Sequence, residues 1–326
     1  MLCGKCASIY NLNGLVDIGE NCEICRGIWD RLELRDLPSQ RVSIRVIGFD
    51  DSKYLLQPKS TLSAAIKEEL KSKYNLQIDN TDPDVYIDVS PDGIQIRKAE
   101  LFIFGRYWKL RNNISQKRWP GKGIPSIEGI IGRELIKIYG GSKYFMHASG
   151  REDIDAFNIA GRPFVMEIHE PVRYNVSPGT IQSQGIVAVI YGRVRRIMRT
   201  LVSDSHFDKS YICYHKELSD EEISTLSSSP VLRISQYTPS RVEHRRALKT
   251  RYRKIYRIRA FRNFSYIYAE AGAYIKEFFH GDKGRTYPCI SSILNREINC
   301  DTLIVSRLYD RFVDILYNRY RLDSFH

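Results

Sequence analysis

Four cysteines near the N-terminus restrict this chain more than any other feature. Cys3 and Cys6 form a C-x2-C pair (LCGKC), and Cys22 and Cys25 form a second (NCEIC) after fifteen intervening residues. Each pair presents two thiolates on one tight turn, and two such turns complete a tetrahedron around a zinc ion. The segment is too short to bury much of a core, and zinc can supply on the order of 10 kcal/mol to such a segment. With thiolates in all four positions no place is left for a catalytic water, so the expected zinc site is structural. Cys213, Cys289 and Cys300 lack partners at ligand spacing and read as packing residues.

A chain of 326 residues has room for two or three domains and a sizeable core. Its net charge of +12 favours a polyanionic partner, nucleic acid or an acidic membrane. No apolar run reaches the roughly 18 residues needed to span a bilayer. The first residues, MLCGKCASIY, lack the apolar core of a signal peptide. The expectation is a soluble cytoplasmic protein with reduced or metal-bound cysteines.

Residues 42–49 alternate as a strand. Residues 61–74 read as a helix with Leu62, Ala65, Ile66 and Leu70 on one face, Ser60 or Thr61 as cap and Asn75 as terminator. Residues 84–89 and 93–97 look like a strand pair around the turn Pro91-Asp92-Gly93, and residues 101–106 like a further strand. That strand runs into a stretch where Arg106, Lys109, Arg111, Lys117 and Arg118 interleave with Tyr107, Trp108 and Trp119. Cations meet phosphate and aromatic faces stack on unpaired bases, so the mixture suits RNA. The turn formers of residues 120–125, PGKGIP, make a linker.

Beyond the linker, residues 126–139 form an amphipathic helix, and residues 162–168, 186–190, 210–214 and 264–271 read as strands. Ser219 and Glu222 fit a capping box. The chain turns at Gly272 into a helix that Gly281 ends. Residues 147–164 place Arg151, Glu152, Asp153 and Asp155 between Gly150 and Gly161. Burying such charges unpaired is costly, so this is a loop, and its glycines permit backbone angles closed to other residues. Residues 241–262 carry ten Arg or Lys against one acid, among them Arg245 and Arg246. As a strand, this run places Arg251, Arg253, Arg257 and Arg259 on one face, interrupted by Ile255, and that face is expected to bind phosphate.

The strand–helix–strand order ending in F-x-F-G-R-Y-x-K-x-R-N-x-I-x-Q resembles the THUMP-containing domain of certain tRNA-modifying enzymes. No phosphate loop for ATP and no strand–GxGxxG–helix unit is visible, and a four-thiolate zinc site leaves no open position for a deaminase. Gly150-Arg151-Glu152-Asp153 resembles the G-R-x-D loop of TruA-type pseudouridine synthases, and residues 272–276, GAYIK, resemble the G-T-Y-I-R/K motif of TruB-type enzymes. Taken with GRPF at 161–164, K-x-Y at 209–211, RV-x-HRR at 241–246, the run at 273–286 and Pro288, the chain is similar to the archaeal and eukaryotic tRNA pseudouridine-54/55 synthase family. The likeness spans all but about the last thirty residues.

The resemblance implies an isomerase that converts uridine 54 and/or 55 in the T-arm of tRNA to pseudouridine, without an organic cofactor and with structural Zn2+. It makes Asp153 the catalytic aspartate, which attacks the ribose C1′ or assists glycosidic cleavage. It makes Tyr211 the residue stacked on the target base, Lys276 the basic partner of Asp153, and Arg151 the filler of the gap left by the flipped base. Asp155 is the alternative nucleophile. The sequence departs from the family in a loop one residue shorter after Asp155 and lacking an arginine, in Ala273 for the usual threonine, and in residues 307–326, which read as an added helix. The expected fold is α+β: a zinc module (1–38), a THUMP-containing RNA-binding domain (39–122) and a catalytic domain on a central mixed sheet (123–326). The expected state is a monomer that binds tRNA and no membrane. A non-catalytic tRNA-binding or chaperone protein of the same fold is the alternative.

Overall fold

The cysteine segment shares its core with the strands that follow it. The computed structural model describes residues 2–12, 22–52, 61–119, 121 and 123–312, which form two compact units. The first comprises Met1–Phe102, Leu135–Tyr144 and Glu167–Asn175. In it α1 (Gly4–Ile9) follows Cys3, and α2 (Leu62–Tyr74) packs Leu62, Ile66 and Leu70 into one cluster with the four cysteines, Ile24 and Ile28. Strands β1 (Arg41–Val46), β2 (Gln77–Ile78), β3 (Val85–Ser90) and β4 (Gly93–Lys98) form a sheet in the order β2-β1-β3-β4. β1 runs parallel to β2 and β3, and β4 turns back antiparallel. Val42, Ile44, Val85, Ile87 and Val89 supply the sheet's side of the cluster. The helix ends are local: the Thr61 hydroxyl accepts from the Ala64 amide at 3.2 Å, and Asn75 closes α2 in the left-handed region.

The second unit comprises Ile103–Glu134, Phe145–Met166 and Val176–His326. The helices here are α3 (Ile127–Tyr139), which continues into the first unit's residues, α4 (Ile197–Ser203), α5 (Asp220–Ser227), α6 (Ile275–His280) and α7 (Ile290–Ile293). The strands are β5 (Leu101–Lys109), β6 (Lys143–Ala148), β7 (Phe157–His169), β8 (Gly179–Ser183), β9 (Ile186–Arg193) and β10 (Lys209–Tyr214). They continue with β11 (Leu232–Gln236), β12 (Arg251–Ala260), β13 (Phe264–Ala269), β14 (Thr286–Tyr287) and β15 (Thr302–Leu308). Their order is β14-β11-β12-β13-β10-β15-β7-β5-β9-β8, with β6 beside β7. Most pairings are antiparallel, but β15 meets β7 in parallel, so the sheet is mixed and the protein α+β. Tyr211, Cys213, Ile258, Ile267 and Val305 point to one face and share a cluster with Ile275, Phe278 and Phe279 of α6.

Three sequence readings change here. β5 extends to Lys109, and from Ile103 onward it pairs with β9 in the second unit's sheet. Arg307 and Leu308 lie in strand β15, not in a helix, because residues 302–305 alternate and, past a register shift at Ser306, Arg307 and Leu308 stay paired with β10; the rest of the expected C-terminal helix, from residue 313, lies outside the described residues. The third is a register shift in β12 between Ile255 and Arg257, where Tyr256 is the extra residue. A bulge of one residue reverses the inward–outward alternation. Arg251 and Arg253 therefore share the inner face with Ile255, whereas Arg257 and Arg259 lie on the outer one, and the single arginine face does not form.

Candidate active site

Residues 149–154 are held by donors reaching their carbonyls from three directions. Arg162 Nη1 donates to Ser149 O at 2.5 Å, and Gln116 Nε2 to Gly150 O at 2.9 Å. Lys109 Nζ donates to Asp153 O at 3.0 Å and to Ile154 O at 2.7 Å. Gly150 and Gly161 both have φ of +69°, and a Cβ on Gly161 would meet the Trp108 ring at 2.7 Å. Glu152 turns inward: Arg162 Nε lies 2.6 Å from its Oε2, and Tyr107 donates its hydroxyl to Oε1 at 2.8 Å. The Arg162 and Glu152 side chains are 1% and 2% exposed, so removing either leaves a buried unpaired charge, at a cost of about 3–5 kcal/mol.

Two residues expected to meet RNA are spent on this framework. Lys109 is fully buried, and burial lowers its ammonium to about 8. It cannot reach phosphate, because on β5 it shares the inward side with Tyr107. Arg106 donates to Gly161 O at 2.7 Å and is ion-paired with Asp310. Arg111 and Arg151 are exposed, and the Arg151 guanidinium sits 5.4 Å from the Trp119 ring centre.

The loop carboxylates are partnered differently from the sequence expectation. Lys276 Nζ lies 2.5 Å from Asp155 Oδ2, and the cation at Asp153 is Arg241, with Nη1 2.6 Å from Oδ1. Lys276 and Glu277 are neighbours on α6. Lys276 reaches the far end of the loop, while the buried Glu277 carboxylate accepts from Arg241 Nε at 2.5 Å and Nη2 at 3.3 Å. Glu277 thus holds two guanidinium nitrogens and aims the third at Asp153. Burial works to raise the Asp155 carboxyl, and the hydrogen bond and charge of Lys276 outweigh it, holding it below the usual range. Sequence reasoning gave no role to Arg241, Glu277, Arg162 or Gln116, and it placed Tyr107 among aromatics for stacking on RNA, whereas Tyr107 is buried against Glu152. Arg241 had two signals, its place at the head of the most basic run and in the motif RV-x-HRR, neither of which pairs it with Asp153.

Asp153, Arg241, Tyr211, Arg246, Arg251 and Arg253 line one cleft of about 370 Å³. Tyr211 is brought there by β10 and is buried, and burial raises its phenol above the ordinary value, so it stays neutral near pH 7. Lys209, two residues earlier and so on the same side of the strand, also lines the cleft; burial and then the Arg162 charge lower its ammonium to about 8. Arg245 belongs to the 3-10 helix Ser240–Arg245, and its side chain lies outside what the structure describes. Arg257 and Arg259 do not line the cleft.

The sulfurs of Cys3, Cys6, Cys22 and Cys25 lie within 4.8 Å of one another and are buried. Tetrahedral zinc–thiolate geometry requires sulfur separations of about 3.8 Å, and Cys3 Sγ and Cys25 Sγ are 3.6 Å apart. These four residues fit a structural metal ion.

The family model described as "Pus10, C-terminal" matches residues 102–308, which contain the whole loop, Tyr211, Arg241 and α6. The chain belongs to the Pus10 family. It is similar to proteins named tRNA pseudouridine synthase Pus10: 31% identical to that of Methanocaldococcus jannaschii, over 89% of this chain and 76% of that protein. Against the Picrophilus torridus protein the identity is 29%, over 93% of this chain and 88% of the relative. Against that of Archaeoglobus fulgidus it is 29%, over 93% and 98%. Among the described residues no helix is long and apolar enough to cross a membrane.

Proposed function

We propose that this protein isomerises uridine to pseudouridine in tRNA, with Asp153 as the catalytic carboxylate. The observation that carries the reading is the Glu277–Arg241–Asp153 chain at a cleft lined by Tyr211. A carboxylate set against a fixed guanidinium is pre-oriented for a single direction of approach. Its task is attack on the ribose C1′ or assistance to glycosidic cleavage, after which the base turns and rejoins through carbon. Tyr211, neutral and held by β10, stacks on the base while it is detached. Flipping a base costs a few kcal/mol, and Arg151 at the lip, with Arg246, Arg251 and Arg253 along the cleft, offsets it by filling the stack and neutralising phosphate.

The target is uridine 54 and/or 55 of the T-arm, and the protein works as a monomer. The cysteine segment holds a structural zinc ion; Cys3→Ser or chelation should release about one zinc per chain, read by elemental analysis. The unit of β1–β4 and α2 is a THUMP-containing RNA-binding domain, and Arg111, exposed in the second unit, meets RNA separately. Mapping of pseudouridine at single-nucleotide resolution in an unmodified tRNA transcript tests the reading. Wild-type protein should place it in the T-arm, and Asp153→Asn should form none while binding tRNA within a few fold of wild type. Turnover by Asp153→Asn comparable to wild type returns the protein to a non-catalytic tRNA-binding role.

A further inference from the structure

The bulge at Tyr256 gives the second unit's sheet an outer face unlike its inner one. Across β12, β13, β10 and β15 that face carries Arg257 opposite Tyr268, Arg259 opposite Tyr266, Tyr214 opposite Phe264, and Arg307 opposite Ser210. The rings are organised into two groups. Tyr256 and Tyr268 have ring centres 4.7 Å apart, as do Tyr268 and Tyr309, and the Arg307 guanidinium sits 4.9 Å over Tyr309. At the other end Phe264 contacts Phe261 at 4.5 Å and Tyr214 at 5.9 Å, with Arg259 5.4 Å over Phe261. Tyr266 stands between them, 40% exposed; Tyr214 and Tyr309 are 45% and 41% exposed. Ordinary sheet faces do not leave this many rings in water beside three exposed arginines.

We propose that this outer face binds single-stranded RNA, by stacking two to three unpaired bases on Tyr266, Tyr309 and their neighbours while Arg257, Arg259 and Arg307 meet the phosphates. Three strand intervals at about 4.8 Å make a platform of about 14 Å, which is the reach of two or three stacked nucleotides. Charge complementarity selects a polyanion, and the exposed ring faces select one whose bases are not already paired. The ladder is anchored from below, where Ser210 and Tyr309 share a hydrogen bond at 3.0 Å. The site is separate from the cleft, because the opposite face of the same strands is occupied by Tyr211, Cys213, Ile258 and Ile267. It does not depend on the chemistry at Asp153.

The probe is a labelled eight-nucleotide RNA of adenosine and cytidine only, which gives the cleft no uridine, titrated into the full-length protein by fluorescence anisotropy. Tyr266→Ala should weaken binding about tenfold, the loss of one stacked base, and Tyr266→Phe should retain affinity within about twofold. The same RNA as a duplex should bind more weakly than the single strand. Ultraviolet cross-linking of unaltered protein should map to peptides within residues 256–269 and 302–309. The proposal is overturned by no binding of the single strand, by equal affinity of Tyr266→Ala and wild type, by preference for the duplex, or by cross-links confined to residues 149–156 and 241–246. Asp153→Asn should bind this probe as wild type does, so a failure of the uridine chemistry and a failure of this face are read separately.

Discussion

Asp153 and Asp155 leave the same loop two residues apart and meet unlike surroundings. Asp153 is 26% exposed and faces a guanidinium already held by two bonds to a carboxylate that is 2% exposed. Asp155 is 59% exposed and faces one ammonium at the end of a flexible stem. Lys276 is 17% exposed but its partner is open to water, which screens the pair, so the Asp155–Lys276 contact fixes the loop less firmly than the buried Glu277 fixes Arg241. A planar guanidinium fixed on one side by Glu277 instead dictates where Asp153 can point. The lesson is that the basic residue of the G-A-Y-I-K motif serves the outer carboxylate, while its neighbour Glu277 serves the inner one through Arg241.

Substitutions graded along these two pairs sharpen or break the contrast. After Asp153→Asn, the largest effect belongs to Arg241→Met, with kcat for pseudouridine formation lowered about 10²–10³-fold, the scale of losing one aligned electrostatic donor. Glu277→Gln retains shape and one acceptor, and should lower kcat about tenfold with KM within about threefold, since Arg241 stays near Asp153 but loses its direction. Lys276→Met should change kcat by no more than about threefold. A loss in Lys276→Met as deep as in Arg241→Met would reverse the assignment of the two carboxylates.

A separate effect, not on turnover, is on stability. Burial sets Lys109 and Lys209 at about 8 in the folded chain, against about 10.4 for an exposed lysine. Between about pH 8 and pH 10 the unfolded chain holds protons that the folded chain has released, so their contribution makes stability rise with pH across that window. The slope is about 1.4 kcal/mol per pH unit for each fully titrating group. Denaturant unfolding at pH 8 and pH 9.5 measures it, and Lys209→Met should flatten the rise.

Much of the local structure was legible because it is written in adjacent residues. Thr61 and Asn75 bound α2, Ser219 and Glu222 form their reciprocal cap, and Gly281 closes α6. The glycine-flanked charges identified the loop at residues 149–156, but residues 157–164, read as part of it, already belong to strand β7, where Gly161 lies inside the strand. The strands β6, β8, β11, β14 and β15 were not read, because each is short or lies at a pairing whose partner is distant in the chain. Lys109 was misread for a related reason: a lysine beside tryptophan and arginine looks like surface, and only the carbonyls of Asp153 and Ile154, 44 and 45 residues away, make its burial tolerable.

The sequence by itself determined the cysteine spacing, the charged loop, the excess of arginine, and the motifs that place the chain in its family. These are properties of neighbours along the chain or of composition. Tertiary structure alone decided which cation meets which carboxylate, which basic residues are buried donors, and which face of β12 each arginine occupies. The physical reason is that one inserted residue at Tyr256 reverses a period-two pattern, and a hydrogen bond of under 3 Å depends on how elements far apart in the chain are packed. The pairing of Asp153 with Arg241 spans 88 residues.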